Sequence, residues 1–192
     1  MVLVLASASP RRKDLLAEAG LRFECRPSSV PEDVAPGTPA APAARDLAVR
    51  KARAAARGLG PAPAVVLAAD TVVALDDGRL LDKPRDRGEA AAHLRGLSGT
   101  THSVITGVCL KEWPGGAEEV FHVETRVTMR RLTEEEIDAY AGSGEGLDKA
   151  GGYAIQETGD RFVTRVEGSF TNVVGLPVEE VLARLALRGI RP

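Results

Sequence analysis

The chain has few aromatic residues and almost no excess of charge of either sign. Aromatic side chains make up 4% of its 192 residues, and 25 basic against 27 acidic residues give a formal net charge of −2. Proteins that bind nucleic acid through bulk electrostatics need a basic surface, and those that bind single strands also need aromatic side chains on which bases stack. The composition therefore argues against an RNA-binding or other nucleic-acid-binding module.

Cysteine and histidine are also scarce, with two and three residues respectively. Cys25 and Cys109 each lie in a run of alternating apolar residues, which predicts two buried free thiols rather than a disulfide or a metal-binding pair. His102 and His122 are far apart and lack the spacing of metal ligands, so we expect structural or surface roles for them.

Long apolar runs are missing as well. No stretch approaches the ~20 apolar residues of a membrane-spanning helix, and nothing resembles a signal peptide. We therefore expect a soluble cytoplasmic protein without a membrane partner. A chain of 192 residues is long enough to bury a core, either as one domain or as two small lobes.

The first chemically informative stretch is a strand that leads directly into a helix. Residues 2–6 are apolar with branched side chains, which predicts a strand buried on both faces. Ser9 followed by Pro10 is typical of a helix start, with the hydroxyl as N-cap and proline at the first helical position. Gly20 is expected to end this helix.

Two arginines occupy the first turn of the predicted helix, where the helix end is already partly positive. A cation there is disfavoured by about 0.3–1 kcal/mol, so Arg11 and Arg12 need another explanation. Together with Ser7 and Ser9 they describe an anion site, most simply a phosphate site. The alternative is that both arginines only reach solvent or a carboxylate elsewhere.

A second apolar run, residues 63–69, leads into Asp70 and Thr71. Ligands of open α/β sheets bind beyond the carboxyl ends of the strands, so Asp70 is a candidate catalytic carboxylate. The alternative is an aspartate that caps a turn. Residues 72–75 continue the strand and offer no turn to cap, which favours the catalytic interpretation.

Three further charged positions leave two interpretations open. Glu32 and Asp33 lie in a proline-rich loop, either in a solvated turn or as a carboxylate that helps to hold a metal. Lys51 follows Leu47 by one turn on an alanine-rich helix predicted over residues 43–57, where a surface lysine is the default and a ligand role the alternative. Lys83 precedes a proline, which disfavours helical geometry at the lysine.

The remaining pattern predicts alternating strands and helices. We expect a half-exposed strand at 21–25, a tight turn at 76–78, a short strand at 80–81, a helix at 86–97, an antiparallel strand pair at 102–110 and 120–132, a capping box at Thr133 and Glu136, paired strands at 153–156 and 161–166 around a turn at 157–160, and a helix from Pro177 with Leu182, Leu185 and Leu187 on its buried side. Residues 142–156 are rich in glycine, which permits either close backbone approach to a ligand or a flexible loop. They contain neither a P-loop nor a Rossmann fingerprint.

These candidates together describe a site for a polyphosphate. The cations are Arg11, Arg12, Lys51 and Lys83, and the carboxylates are Asp70 and Glu32. A polyphosphate beside two carboxylates usually implies a divalent cation, because Mg²⁺ bridges phosphate and carboxylate oxygens. Hydrolysis by an activated water is the simplest chemistry that these groups support.

Several motifs in this order resemble those of the Maf family of nucleoside triphosphate pyrophosphatases. They are LASASPRR, LAVRKARA, AADTVV, LDKPRD, LSGTTHSVITGV, DKAGGYAIQ and GSFTNVVGLP, and they span nearly the whole chain. The resemblance implies cleavage between the α and β phosphates, a divalent metal (Mg²⁺ or Mn²⁺) and a homodimer. It also implies a single Maf-like domain over residues 1–192, with an α/β fold of the Maf/ITPase type: a twisted mixed β-sheet flanked by helices, in two lobes with a central cleft.

The resemblance also implies roles for individual residues. Asp70 matches the family's proton acceptor; Arg11, Thr71 and Gln156 match positions linked to substrate choice; Arg12, Lys51 and Lys83 match phosphate-contacting cations; and Ser7 and Ser9 line the same loop. Glu32 matches the second acid, which with Asp70 would hold the metal, although the local sequence VPED leaves Asp33 as the alternative. Thr71 and the YAIQ ending resemble the branch that acts on dTTP and UTP rather than the branch that prefers 7-methyl-GTP.

A function of another class stays open at this point. The family has an association with inhibition of cell division and septum formation, so the chain could be a regulator that senses nucleotides without hydrolysing them. The simultaneous presence of Asp70 and all four candidate cations favours the enzyme.

Overall fold

The structure of the chain, a computed structural model, describes residues 1–156 and 158–192. Within these residues the strands are Val2–Leu5 (β1), Glu24–Cys25 (β2), Ala64–Ala74 (β3), Leu80–Leu81 (β4), Thr101–Trp113 (β5), Glu118–Met129 (β6) and Val163–Glu167 (β7). The α-helices are Pro10–Glu18 (α1), Ala40–Ala56 (α2), Arg87–Leu97 (α3), Glu134–Ser143 (α4), Phe170–Val174 (α5) and Val178–Ala186 (α6). Short 3₁₀ turns cover Ala150–Gly152 and Thr158–Phe162.

The strands form one mixed sheet. The order is β2-β1-β3-β5-β6-β7, and β4 pairs with β3 off this path. β1 runs parallel to β2 and β3, whereas β4 is antiparallel to β3 and β7 is antiparallel to β6. The predicted α/β class, with a mixed sheet flanked by helices, is confirmed.

The chain divides into two compact units. The first comprises Met1–Asp70, Thr106–Val123 and Gly175–Pro192, and the second comprises Thr71–Ile105 and Glu124–Val174. The predicted arrangement of two lobes around a cleft stays a prediction. No helix in the described part of the chain combines the length and the apolar character needed to cross a membrane.

Small residues let helix α2 lie directly on the sheet in the first unit. Ala48, Ala52 and Val66 belong to a buried apolar cluster to which α2, β1, β3 and β5 contribute. A Cβ atom at Gly107 of β5 would overlap the backbone of Ala44 at the start of α2. Only glycine therefore fits at this point of β5, and the alanine-rich composition of α2 follows from the same close packing.

The second unit contains two helices whose starts follow from the local sequence. Asp86 accepts a hydrogen bond from the backbone N–H of Glu89 at 2.9 Å and so caps α3. Thr133 and Glu136 form the predicted capping box at the start of α4, with each side chain accepting from the other residue's backbone. These helix predictions are confirmed, because capping requires only residues three positions apart.

The prediction of a strand at residues 153–156 is wrong. Tyr153 and Ala154 have no regular secondary structure, and Ile155 and Gln156 form a turn. β7 pairs instead with β6, with Val166 opposite Val127. The backbone N–H of Ala154 donates to the Tyr140 hydroxyl at 3.0 Å, so a side chain takes the place of a strand partner. Glu157, in the predicted turn at 157–160, lies outside the described residues.

Two predictions of burial are also wrong. Cys25 is exposed, because β2 is only two residues long and lies at the edge of the sheet. Leu187 is 86% exposed, because α6 ends at Ala186 and its buried stripe consists of Val181 and Leu185. Cys109 is a buried free thiol as predicted, and burial raises its pKa to about 11.

The glycine-rich stretch packs against other protein backbone, an arrangement that neither sequence interpretation described. A Cβ atom at Gly146 would overlap the carbonyl group of Gly152. Gly151 has a φ of +75° and lies against the side chain of Val73. The glycines therefore allow the segment to fold back on itself and onto β3.

His102 is a structural residue, in agreement with the expectation from the sequence. Its side chain is fully buried, and Nε2 lies 2.8 Å from the hydroxyl oxygen of Tyr153. The pKa of His102 is lowered from 6.5 to about 4, chiefly by burial and also by the charge of Arg126, while the charge of Asp76 acts in the opposite direction. The imidazole therefore remains neutral in the folded protein at pH 7.

This buried imidazole makes the fold sensitive to acid. Below pH 6.5 the unfolded chain gains a proton on His102 that the folded chain takes up only near pH 4, so the free energy of unfolding falls as the pH drops between these values. The loss from this group amounts to about 3 kcal/mol at the acid end.

We expect His102→Phe to reduce the difference in unfolding free energy between pH 7 and pH 4, measured by urea denaturation. His122→Phe, which removes an exposed histidine, is the control, and an equal pH dependence in both variants would contradict the prediction.

Candidate active site

The loop between β1 and α1 is held together by the hydroxyl of Ser7. Ser7 Oγ accepts from the backbone N–H of Ser9 at 3.2 Å and from Arg12 Nη1 at 3.4 Å. Pro10 occupies the first helical position as predicted, but Ser9 makes no side-chain cap hydrogen bond within residues 1–156 and 158–192. The expected N-cap role of the Ser9 hydroxyl is therefore wrong, because Ser7 organises this turn from its N-terminal side.

Arg12 is fixed at the start of α1 and is influenced by two carboxylates. Its Nε donates to the carbonyl of Gly175 at 2.8 Å. Burial lowers the pKa of its guanidinium; the charge of Asp70 raises it, that of Arg11 lowers it and that of Glu32 raises it. A guanidinium held in this way presents a fixed positive charge.

Asp70 lies inside β3, because the strand continues beyond it, as expected from the apolar residues 72–75. β3 continues to Ala74, but its pairing with β1 ends where Leu5 lies opposite Leu67. Asp70 therefore lies three residues beyond the last paired position of β1. Although β3 itself does not end there, this placement agrees with the general location of ligand sites beyond the carboxyl end of a parallel strand.

Lys51 is buried on the inner face of α2 and contacts two carboxylates. Its Nζ donates to Glu32 Oε1 at 2.5 Å and to Asp70 Oδ1. Lys51 and Asp70 are each 8% exposed, so a buried ammonium compensates a buried carboxylate. The default expectation of a surface lysine is therefore wrong. We call Lys51, Glu32 and Asp70 the carboxylate–lysine cluster.

The loop that carries Glu32 is pinned by an arginine of α2. Arg50 donates to the backbone carbonyls of Pro31 and Asp33, each at 3.0 Å. Arg50 also forms an ion pair with Asp46, one turn earlier on the same helix, at 2.9 Å. Both neighbouring acids are exposed, but Glu32 directs its carboxylate to Lys51, whereas Asp33 contributes a backbone carbonyl to Arg50.

The cluster suits a divalent cation that is not fully enclosed by protein. Two carboxylate oxygens converge on one positive charge, the Lys51 ammonium, and oxygen is the ligand that Mg²⁺ prefers. The described residues contain no group of three or more His, Cys, Asp or Glu side chains able to hold a metal. A cation held by two carboxylates completes its shell with water and phosphate oxygens, which is usual for Mg²⁺.

The other predicted site residues belong to the second unit or to the first turn of α1. Thr71 follows Asp70 in β3 and is partly buried, Lys83 is exposed between β4 and α3, and Gln156 is exposed in a turn. Arg11 is partly buried at the second position of α1. The roles expected for these four residues stay predictions.

Two contributors to the site could not be singled out from the sequence. Arg50 lies in the motif LAVRKARA and Gly175 in the motif GSFTNVVGLP, but neither motif shows that Arg50 holds the loop of Glu32 or that the carbonyl of Gly175 binds Arg12. Gly175 is 163 residues from Arg12 along the chain. The only available signal was the motif itself, which marks the segment without indicating the carbonyl.

Comparisons with known proteins show which family the chain resembles along its length. A family model described as Maf-like protein matches residues 2–187. The chain is 50% identical over 188 residues to the dTTP/UTP pyrophosphatase of Moorella thermoacetica, covering 98% of this chain and 95% of that protein. It is also 50% identical over 190 residues to the dTTP/UTP pyrophosphatase of Myxococcus xanthus, covering 98% and 93%.

A solved structure resembles the fold. The HAM1 protein from Coxiella burnetii matches with a TM-score of 0.56 at 19% identity, covering 97% of this chain and 100% of that one. At this identity the likeness supports the fold alone. The family match over residues 2–187 and the 50% identities confirm the resemblance noted in the sequence: the chain belongs to the Maf-like protein family.

Proposed function

We propose that the protein is a nucleoside triphosphate pyrophosphatase that hydrolyses dTTP and UTP to the monophosphate and pyrophosphate. The observation that carries the proposal is the carboxylate–lysine cluster, in which Lys51 and Asp70 are buried and Asp70 lies within the electrostatic influence of Arg12. The names of the relatives from Moorella thermoacetica and Myxococcus xanthus, both dTTP/UTP pyrophosphatases, support the choice of substrate. Removal of excess or non-standard pyrimidine nucleotides is a biological task that fits this chemistry.

In the proposed reaction Asp70 accepts the proton of the attacking water. The water oxygen forms a bond to phosphorus in line with the leaving group, the phosphoanhydride bond between the α and β phosphates breaks, and its electron pair leaves with pyrophosphate. Asp70 is suited to this role because β3 holds its backbone and Lys51 orients its carboxylate. The base thus needs little reorganisation during the reaction.

The cations of the site would bind the triphosphate and stabilise the leaving group. Arg12 presents a fixed guanidinium, and Ser7 and Ser9 lie in the loop beside it. Lys51 and Lys83 add compact positive charges, which suit phosphate oxygens. Glu32 and Asp70 would hold Mg²⁺ or Mn²⁺, which would neutralise negative charge on the phosphates.

Three residues would select the base. Arg11, Thr71 and Gln156 carry donors and acceptors that suit the polar edge of a pyrimidine. A wrong base leaves such a group unpaired, which costs about 1–3 kcal/mol, or roughly 5- to 150-fold in specificity. Discrimination of this size fits a selective pyrophosphatase.

Replacing Gln156 tests this assignment. We expect Gln156→Ala to lower the ratio of kcat/KM for dTTP to that for GTP by about tenfold, because the variant no longer offers an amide to the pyrimidine edge. Steady-state pyrophosphate release with both nucleotides measures the ratio. An unchanged ratio would count against a role of Gln156 in base selection.

A product-resolved nucleotide screen tests the function as a whole. The purified protein is incubated with a panel of nucleoside triphosphates and Mg²⁺ or Mn²⁺, and products are separated to distinguish pyrophosphate from phosphate. Monophosphate and pyrophosphate from dTTP and UTP would support the proposal. Calorimetric binding of dTTP without any product would favour the nucleotide-sensing regulator instead. The homodimer and the cytoplasmic location expected from the sequence stay predictions.

A further inference from the structure

A chain of hydrogen bonds in the second unit fixes the backbone on both sides of Gln156. The Tyr140 hydroxyl accepts from the backbone N–H of Ala154 at 3.0 Å and donates to Glu145 Oε1 at 2.8 Å. Thr158 Oγ1 donates to the other carboxylate oxygen, Glu145 Oε2. The network formed by Tyr140 and Glu145, the Tyr140–Glu145 anchor, thus binds the chain two residues before and two residues after Gln156.

Among the described residues, the segment just before Gln156 belongs to no strand or helix, although the Tyr153 hydroxyl also contacts His102 Nε2 at 2.8 Å. Tyr153 and Ala154 are buried but outside any strand or helix, whereas Gln156 is exposed. A Cβ atom at Gly159 would lie 2.5 Å from the carbonyl oxygen of Ala154 and 3.1 Å from the Tyr140 hydroxyl. Ala154 and Gly159 therefore lie close to each other and to the Tyr140 hydroxyl, and a side chain rather than a strand partner binds the N–H of Ala154.

The polar atoms of the anchor are separable from the packing of α4. The Tyr140 ring packs edge-on against Phe162, with centroids 5.2 Å apart, and phenylalanine at position 140 would keep this contact. Burial acts to raise the pKa of Glu145, but the hydrogen bonds from Thr158 and Tyr140 lower it, so the carboxylate stays charged at neutral pH. A charged acceptor strengthens both hydrogen bonds.

We propose that Tyr140 and Glu145 are positioning residues for base selection and that they act through Gln156. The inference rests on the proposed function. An exposed glutamine on an unsupported turn would have to be ordered each time a nucleotide binds, which weakens its discrimination between bases. The Tyr140–Glu145 anchor orders the turn in advance, so the amide of Gln156 meets the base in one orientation.

Tyr140→Phe removes the hydroxyl and keeps the ring. We expect the dTTP-to-GTP ratio of kcat/KM to fall about fivefold, mainly through a higher KM for dTTP. The inhibition constant of pyrophosphate, which carries no base, is expected to stay unchanged. Amide exchange at Ala154 is expected to become faster. A variant that was merely less stable would not raise the KM for dTTP while leaving the inhibition constant of pyrophosphate unchanged.

Thr133→Ala is the matched control, since it removes the cap of the same helix and leaves the anchor intact. It is expected to lower the melting temperature without changing the nucleotide ratio. Glu145→Gln is the second variant at the anchor, because its amide can accept from only one of the two hydroxyl donors; it should reduce the ratio in the same direction. It keeps the inference testable if Tyr140→Phe does not fold.

A double-mutant cycle tests whether Tyr140 acts through Gln156. In the Gln156→Ala background, Tyr140→Phe is expected to change the ratio no further. Independent effects of the two substitutions, which multiply in the double variant, would overturn the inference. An unchanged dTTP-to-GTP ratio of kcat/KM in either single variant would also overturn it, as would a shift of that ratio in Thr133→Ala equal to the shift in Tyr140→Phe. A wild-type chain that releases no pyrophosphate would contradict the proposed function and this inference together. An active wild type with an unaffected Tyr140→Phe variant would contradict the inference alone.

Discussion

Asp70→Asn is expected to slow pyrophosphate release from dTTP by about a thousandfold, the usual scale for loss of a general base, while nucleotide binding largely survives. The asparagine oxygen can still accept from Lys51, so the carboxylate–lysine cluster keeps its geometry in the variant. The amide cannot accept the proton of the attacking water. The predicted defect therefore lies in kcat rather than in the affinity for nucleotide.

Two measurements on each protein test this expectation. Pyrophosphate release with dTTP and Mn²⁺ gives kcat, and calorimetry under the same conditions gives nucleotide affinity. Asp33→Asn is the matched control, because Asp33 is an exposed acid beside Glu32 whose carbonyl, not its carboxylate, is bound by Arg50. We expect that control to retain wild-type kcat. Near-normal turnover in Asp70→Asn would remove Asp70 from the mechanism.

Lys51→Met is expected to have two opposite effects. Pyrophosphate release falls about a hundredfold, because one charge that stabilises the leaving group is lost. Affinity for Mn²⁺ in the absence of nucleotide rises, because the ammonium no longer competes for the oxygens of Glu32 and Asp70. Methionine keeps the length and apolar character of the side chain, so α2 retains its packing.

The same substitution should also reveal itself in stability. Removing one partner of a buried ion pair costs about 3–5 kcal/mol, so the metal-free variant is expected to melt at a lower temperature. Mn²⁺ that binds the folded state should restore much of this loss. The matched control is Lys111→Met. Lys111 also forms an ion pair, with Nζ 3.1 Å from Glu118 Oε1, but it does not belong to the carboxylate–lysine cluster. Manganese affinity in Lys51→Met no higher than in wild type, by calorimetric titration, would contradict competition between the ammonium and the cation.

The local elements of the site were predictable because their causes are local. The strand before α1 and the first position of that helix follow from a short apolar run and the Ser9-Pro10 pair. The capping box of α4 needs only residues three positions apart. Family membership was equally accessible, because motifs along the whole chain carry it and the match covers residues 2–187.

Errors arose where a distant partner decides the outcome. The segment 153–156 has the composition of a strand, but the Tyr140 hydroxyl takes the N–H of Ala154. Cys25 alternates like a half-buried strand residue, yet β2 is short and lies at the sheet edge. In both cases the local pattern was typical of a strand, but the groups that surround the segment in the fold did not provide the pairing or the burial that the pattern predicted.

By itself, the sequence determined the order of most helices and strands, the family and the set of charged residues available for chemistry, since these depend on patterns within a few residues. Only the tertiary structure decided that Lys51 is buried, that Glu32 rather than Asp33 contacts it, and that Gly175 holds Arg12. Lys51 lies 19 residues from both Glu32 and Asp70 along the chain, and Arg12 lies 163 from Gly175. Burial and charge pairing depend on distances in space, which no local pattern in the chain encodes.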